Sequence, residues 1–284
     1  MLRVKPRSGQ LRLLDDRDRA AALAICDADP VTNVFVGARI RALGLEPGRL
    51  GAQIWGYESA GKLTSLCYSG ANLVPVAATP QAIAAFADRA LRQGRRCSSL
   101  VGPAADVSAL WAYLRPHWGP PRSLRAAQPL MAISGRPAVG PDPAVRRVRP
   151  DEIDLLLPAC VAMFTEEVGV SPLAGDGGAS YRARVAELIR TGRALARIED
   201  GRVIFKAEIG AATPLACQVQ GVWVRPECRG RGMAAAGMAA VVTQARRAIS
   251  PVVSLYVNDY NLPARAVYRR VGFTEVGQFT SVLF

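Results

Sequence analysis

The stretch that most constrains this chain runs from Cys217 to Ala234, C-Q-V-Q-G-V-W-V-R-P-E-C-R-G-R-G-M-A. Val219, Val222, Trp223 and Val224 form an apolar run of strand length. Pro226 ends it, because proline has no N–H to give to a ladder. Arg229, Gly230, Arg231, Gly232, Met233 and Ala234 follow, then an Ala-rich helix to about Ala248. A strand that enters a Gly-rich turn and opens a helix aims several backbone N–H groups at one place. The positive end of the helix stands behind them. Such a place suits a phosphate or pyrophosphate, and glycine lets the anion approach where a Cβ would block it.

The spacing excludes two common phosphate loops. A dinucleotide fingerprint needs G-x-G-x-x-G, and a P-loop needs G-K followed by Ser or Thr. The chain has R-x-x-G-x-A instead, at Arg229, Gly232 and Ala234. Downstream come the strand V-V-S-L-Y-V (Val252 to Val257), Asn258, and N-L-P-A-R-A-V-Y-R-R-V-G-F. Asn261, Ala264, Tyr268, Gly272 and Phe273 complete this second motif. Together the two motifs resemble those of the GNAT (GCN5-related) N-acetyltransferases, in order and separation. The resemblance is specific from Arg146 to Phe284 and weak before that.

The first half repeats the second in outline. The turn E-S-A-G-K answers E-D-G-R, and the helix A-L-W-A-Y-L-R-P-H-W-G answers A-R-A-V-Y-R-R-V-G-F, with Tyr113 opposite Tyr268. Where the second half has R-G-R-G-M-A, the first has T-P-Q-A at Thr79 to Ala82. The expected architecture is therefore α/β, two tandem GNAT-like domains, each a mixed twisted sheet flanked by helices. Residues 1–140 would be a degenerate copy without a cofactor loop, and 141–284 the catalytic copy. The Pro- and Gly-rich segment Gly135 to Ala144 reads as a linker between them. Pro158 is expected to kink or split the helix that starts near Asp151. Residues 1–10 show no periodicity and read as a tail.

The resemblance implies acetyl-CoA as co-substrate and an amine as acceptor, a small molecule or a peptide. The loop Arg229, Gly230, Arg231, Gly232, Met233, Ala234 would hold the pyrophosphate. Val222, Trp223 and Val224 would hydrogen-bond the pantetheine arm through their backbone, as an extra strand. Asn261 would cap a helix, meet the cofactor, or do both, and Asn258 is a further cofactor candidate. Tyr268 would be the general acid or hydrogen-bond donor for the leaving thiolate; a phenol of pKa about 10 matches a thiol of about 8.5.

The family often places a basic glutamate on the central strand, but Gln218 and Gln220 stand there. Glu208 on the neighbouring strand is the replacement candidate. The alternatives for it are an exposed strand-edge carboxylate or a partner of Arg229. Glu166 and Glu167 could bind a cationic acceptor or simply be solvated. Two rival functions stay open: a non-catalytic acyl-CoA-binding or nucleic-acid-associated module, and an aminoacyl-tRNA-dependent transferase.

Composition narrows the classes further. The net charge of +13 would suit nucleic acid. With three lysines against 33 arginines, and the arginines dispersed, a solvated basic surface is the better reading. Six scattered cysteines without a C-x-x-C pair, and no signal peptide, lead to an expectation of reduced thiols in the cytoplasm. One histidine cannot build a zinc site with those cysteines, and no apolar run is long enough to span a membrane.

Overall fold

The computed structural model describes residues 9–174 and 176–284. The tail expected at 1–10 falls mostly outside them, and Gln10 already belongs to a strand. In chain order the elements are β1 (Gln10–Leu13), α1 (Arg19–Ala28), α2 (Val34–Leu43), the short α3 (Pro47–Leu50), β2 (Gln53–Ser59), β3 (Lys62–Ser69) and β4 (Asn72–Val76). Then come α4 (Pro80–Gln93), β5 (Ser99–Pro103), α5 (Ala104–Trp118) and β6 (Ser123–Ile133). The order then restarts with β7 (Arg146–Arg147), α6 (Ile153–Val168), α7 (Ala179–Arg190), β8 (Ala194–Glu199), β9 (Arg202–Ala212) and β10 (Ala216–Val224). It closes with α8 (Met233–Ala248), β11 (Val252–Tyr256), α9 (Leu262–Val271) and β12 (Thr274–Leu283). The two halves repeat one element order, so the fold is α/β with two tandem domains.

By contacts the chain divides into two units that do not follow chain order. The first holds residues 1–130, 256–260 and 275–284; the second holds 131–255 and 261–274. The expected division at 140 takes no account of the last strand. β12 pairs antiparallel with β5 of the first unit, Phe279 opposite Pro103 through Leu283 opposite Ser99. Hydrogen bonds from Thr280 to the Ala126 carbonyl and from Ser281 to Gln128 fasten its other edge.

In the first unit the strands lie in the order β1-β2-β3-β4-β5-β12-β6; β4–β5 is parallel, and β1–β2, β2–β3, β3–β4 and β5–β12 are antiparallel. Ile54 and Trp55, adjacent on β2, enter two different apolar clusters. Alternate side chains on a strand point to opposite faces, so each face of this sheet carries a core. One cluster gathers Phe86, Leu110 and Leu114 from α4 and α5; the other gathers Ala22, Val36 and Ile40 from α1 and α2.

In the second unit the order is β11-β10-β9-β8-β7, antiparallel apart from β10–β11. Leu156, Cys160 and Met163 of α6 and Val185 and Leu188 of α7 cover one face. Met238, Val241 and Val242 of α8 are buried, and Gly237 lets α8 sit close to Phe205 of β9: a Cβ there would lie 2.8 Å from its ring.

Two local expectations are corrected. α6 runs unbroken through Pro158. The proline removes a single N–H, and the apolar face of the helix is held in the core on both sides of it. The segment from Gly135 to Ala144 is no free linker either. Asp142 N–H donates to Ala236 O, Ala138 N–H to Val271 O, and Arg246 to Gly135 O, while the Asp142 carboxylate pairs with Arg197 at 2.9 Å. Its prolines make it stiff, and these bonds fasten it to the second unit.

Candidate active site

The parallel pair β10–β11 is registered only at Ala216–Val252, Cys217–Val253 and Gln218–Ser254. Beyond Gln218 the strands part, so the β11-facing edge of Val222, Trp223 and Val224 has no strand partner there. Within β10 the pairing with β9 jumps from Gln220–Glu208 to Trp223–Lys206, leaving Gly221 and Val222 out of register as a bulge. Gly221 takes φ +59°, and a Cβ there would lie 3.0 Å from Met163 and 3.2 Å from the Glu208 carboxyl. Both the backbone and the space demand glycine.

β10 then enters the Gly-rich loop. Gly230 and Gly232 are left-handed at φ +76° and +79°, with nothing within 4 Å of where their Cβ atoms would be. Gly232 caps α8 without any side-chain hydrogen bond. Among the described residues, no acceptor meets the N–H groups of Gly230, Arg231, Gly232, Met233 or Ala234; the first closing bonds come from Ala235 and Ala236 to the Gly232 carbonyl. Unpaired N–H groups at a helix start are what an anion replaces. The loop is exposed to solvent and open to a ligand.

Arg229 does not face the loop's free space. Its Nε donates to the Val224 carbonyl at 3.0 Å, and its Nη2 pairs with Glu166 Oε2 at 2.8 Å. The other oxygen of Glu166 accepts from the Trp223 indole at 3.1 Å. Glu166, expected as a solvated or acceptor-binding carboxylate, thus clasps β10 and the loop that follows it. Trp223 itself is a core residue, packed against α6 and α7. Glu167 stands near enough to Tyr268 to act on it electrostatically.

Tyr268 lies on α9, which Asn261 caps by accepting from Ala264 N–H at 3.2 Å. The ring is buried, beside Phe273. Burial, and then the Glu167 carboxylate, push the phenol far above its ordinary pKa. It stays protonated at every physiological pH. Among the described residues, no group hydrogen-bonds its hydroxyl. Asn258 belongs by contacts to the first unit, where its side-chain oxygen accepts from Gln128 at 2.9 Å.

Glu208 is neither exposed nor the partner of Arg229, so both alternatives weighed for it are corrected. It is buried, in an ion pair with Lys206, itself fully enclosed. Gln220 donates to it at 3.3 Å, and the Cys160 thiol lies 3.6 Å away. Burial alone would raise its pKa. The Lys206 ammonium, with the hydrogen bonds from Lys206 and Gln220, reverses this and holds the carboxyl below its usual range. Lys206 and Cys160 are site residues that the sequence reading overlooked. Lys206 was legible, since residues two apart on a strand share a face.

Among the described residues, no group of His, Cys, Asp and Glu could hold a metal, and no helix is long and apolar enough to cross a membrane. Residues 183–273 match the sequence profile of the acetyltransferase (GNAT) family, and residues 52–156 match a domain of unknown function, DUF4081. No curated protein matches the sequence. Several solved structures share the fold over nearly the whole chain. A GCN5-related N-acetyltransferase from Sphaerobacter thermophilus is 17% identical over 97% of this chain and 95% of its own, with a TM-score of 0.58. A tandem GNAT protein from the clavulanic acid biosynthesis pathway is 17% identical over 97% and 98%, at 0.55. A GNAT-family acetyltransferase from Colwellia psychrerythraea is 12% identical over 97% and 99%, also at 0.55. The open loop before α8 and the parted strands β10 and β11 therefore lie within the segment that matches the GNAT-family profile, in a chain that shares its fold with a tandem GNAT protein.

Proposed function

We propose that the second domain transfers acetyl from acetyl-CoA directly to an amine. The observation that carries this reading is the row of unpaired N–H groups from Gly230 to Ala234 at the start of α8. They would take the pyrophosphate, and the backbone of Val222 to Val224 on the side away from β9 would take the pantetheine arm, beside the bond that the Val224 carbonyl already accepts from Arg229. Asn261 would border the cofactor while capping α9, and Asn258, if it serves the cofactor, would have to do so beside its bond to Gln128. The first domain, without such a loop, would bind no cofactor.

In this mechanism the neutral amine attacks the thioester carbonyl, and the C–S bond breaks as the tetrahedral intermediate collapses. The Tyr268 hydroxyl, unpartnered and held protonated, donates a hydrogen bond to the departing thiolate. Because its pKa is raised, it steadies the thiolate more readily than it gives up the proton. Glu208 faces the reverse difficulty as a base: it would have to accept a proton while ionised against Lys206. Its better role is to hold Gln220 and to back the Gly221 bulge. The substrate ammonium would lose its first proton to water before attack, and the proton that nitrogen sheds on forming the amide would pass through water to the departing thiolate, which leaves as the free thiol.

A non-catalytic acyl-CoA-binding module would have no use for a tyrosine hydroxyl left without a protein partner. An aminoacyl-tRNA donor would have no use for a pyrophosphate loop. The test is acetyl-CoA turnover by the full chain against a panel of small-molecule and peptide amines, following the appearance of free thiol. Acceptor-dependent thiol release supports the reading. CoA binding without release across the panel would favour the binding module.

A further inference from the structure

Three groups meet at the C-terminal end of α6 in one hydrogen-bonded chain: the Trp223 indole, the Glu166 carboxylate and the Arg229 guanidinium. Arg229 also donates to the Val224 carbonyl, at the end of the strand that leads into the loop. It directly precedes the open N–H groups of Gly230 to Ala234. The Arg229 guanidinium at the head of the anion loop is therefore already committed to a protein carboxylate. That carboxylate is only half-buried, with 48% of its side chain exposed, so the pair can part without stranding a charge in the core.

We infer that Glu166 is an internal competitor for the cofactor's anion site. A pyrophosphate seated on the loop would carry negative charge up to Arg229 and draw the guanidinium away from Glu166. Glu166, still anchored by the Trp223 indole, would then present a free carboxylate at the end of α6, suited to a protonated amine. The chemistry at this site is a single ion pair that an anion opens from one side and a cation from the other. By linkage, each then favours the other to the same extent. The consequence for the acceptor is that it is a cationic amine, and that it binds better to the cofactor-loaded protein. This inference rests on the reading that the loop holds CoA.

The experiment is calorimetric titration of the full chain with CoA, at low and at high salt, for the wild type and for Glu166→Gln and Glu166→Ala. An exposed ion pair is worth about 0.2–1 kcal/mol, so removing the competitor should tighten CoA binding by roughly one-and-a-half- to fivefold at low salt, and by less at high salt. Inorganic pyrophosphate should bind with the same ranking. A purely structural Glu166 predicts weaker CoA binding in both variants, through a loosened loop, with little dependence on salt. Unchanged or weakened binding in the two variants overturns the inference while leaving the proposed function in place. Absence of CoA binding by the wild type overturns both.

Discussion

Two helix starts occupy the same place in the two halves of this chain and have opposite local chemistry. α4 begins at Pro80, which has no N–H to satisfy, and Thr79 accepts from Ala82 through its hydroxyl at 3.2 Å and from Ile83 through its carbonyl at 2.9 Å. α8 begins at Met233, capped by Gly232 without a side-chain bond, and the N–H groups from Gly230 to Ala234 have no acceptor among the described residues. A capped helix start is complete, whereas an uncapped one is completed only by water or by an anion. The tyrosines differ in the same sense. Tyr113 on α5 is 52% exposed, while Tyr268 on α9 is 7% exposed with its hydroxyl unpartnered. The two halves thus share their elements and differ in the residues at these two positions.

The largest effect should come from the tyrosines. Tyr268→Phe removes one hydroxyl and leaves the packing, and kcat should fall by about 10² to 10⁴ with little change in CoA affinity. Tyr113→Phe should leave kcat unchanged. Steady-state kinetics on an identified acceptor checks both, and equal behaviour of the two variants would erase the contrast. Next comes the buried pair of the second unit. Glu208→Gln strands Lys206 without its counter-charge, which should cost about 3–5 kcal/mol of stability in denaturant unfolding. A catalytic base would instead show near-wild-type stability and activity rescued at high pH, where more of the amine is neutral.

A smaller effect belongs to the loop. Gly232→Val places a β-branched residue at φ +79°, and the strain of roughly 1–2 kcal/mol should cost about tenfold or more in CoA affinity by isothermal titration. The matching change in the first unit is smaller still. Thr79→Ala should cost about 1 kcal/mol of stability through the lost cap, with CoA affinity untouched.

The site was readable in the sequence to the extent that its chemistry is local. The loop glycines, the Asn261 cap and the position of Tyr268 all lie within a few residues of the motif that betrays them. Gly221 was equally local: a lone glycine inside an apolar strand signals a bulge, and this one marks where β10 turns its backbone from β9. What was not legible depends on partners far along the chain. The assignment of β12 to the first unit follows from pairing with Ser99 to Pro103, about 180 residues earlier, which no periodicity announces. The segment from Gly135 to Ala144 looks like a linker by composition and is ordered by bonds to Ala236, Val271 and Arg246. Glu166 likewise gains its meaning from Arg229, 63 residues away.

Of the two helix starts, that of α8 is expected to bind the cofactor and that of α4 is not. Hydrogen–deuterium exchange of the full chain, with and without CoA, reads both starts in one experiment. Slowed exchange is expected in peptides covering Gly230 to Ala236, where free N–H groups would acquire an acceptor, and no change in peptides covering Ala77 to Ile83. Slowed exchange at Ala77 to Ile83, or none at Gly230 to Ala236 under saturating CoA, would contradict this expectation.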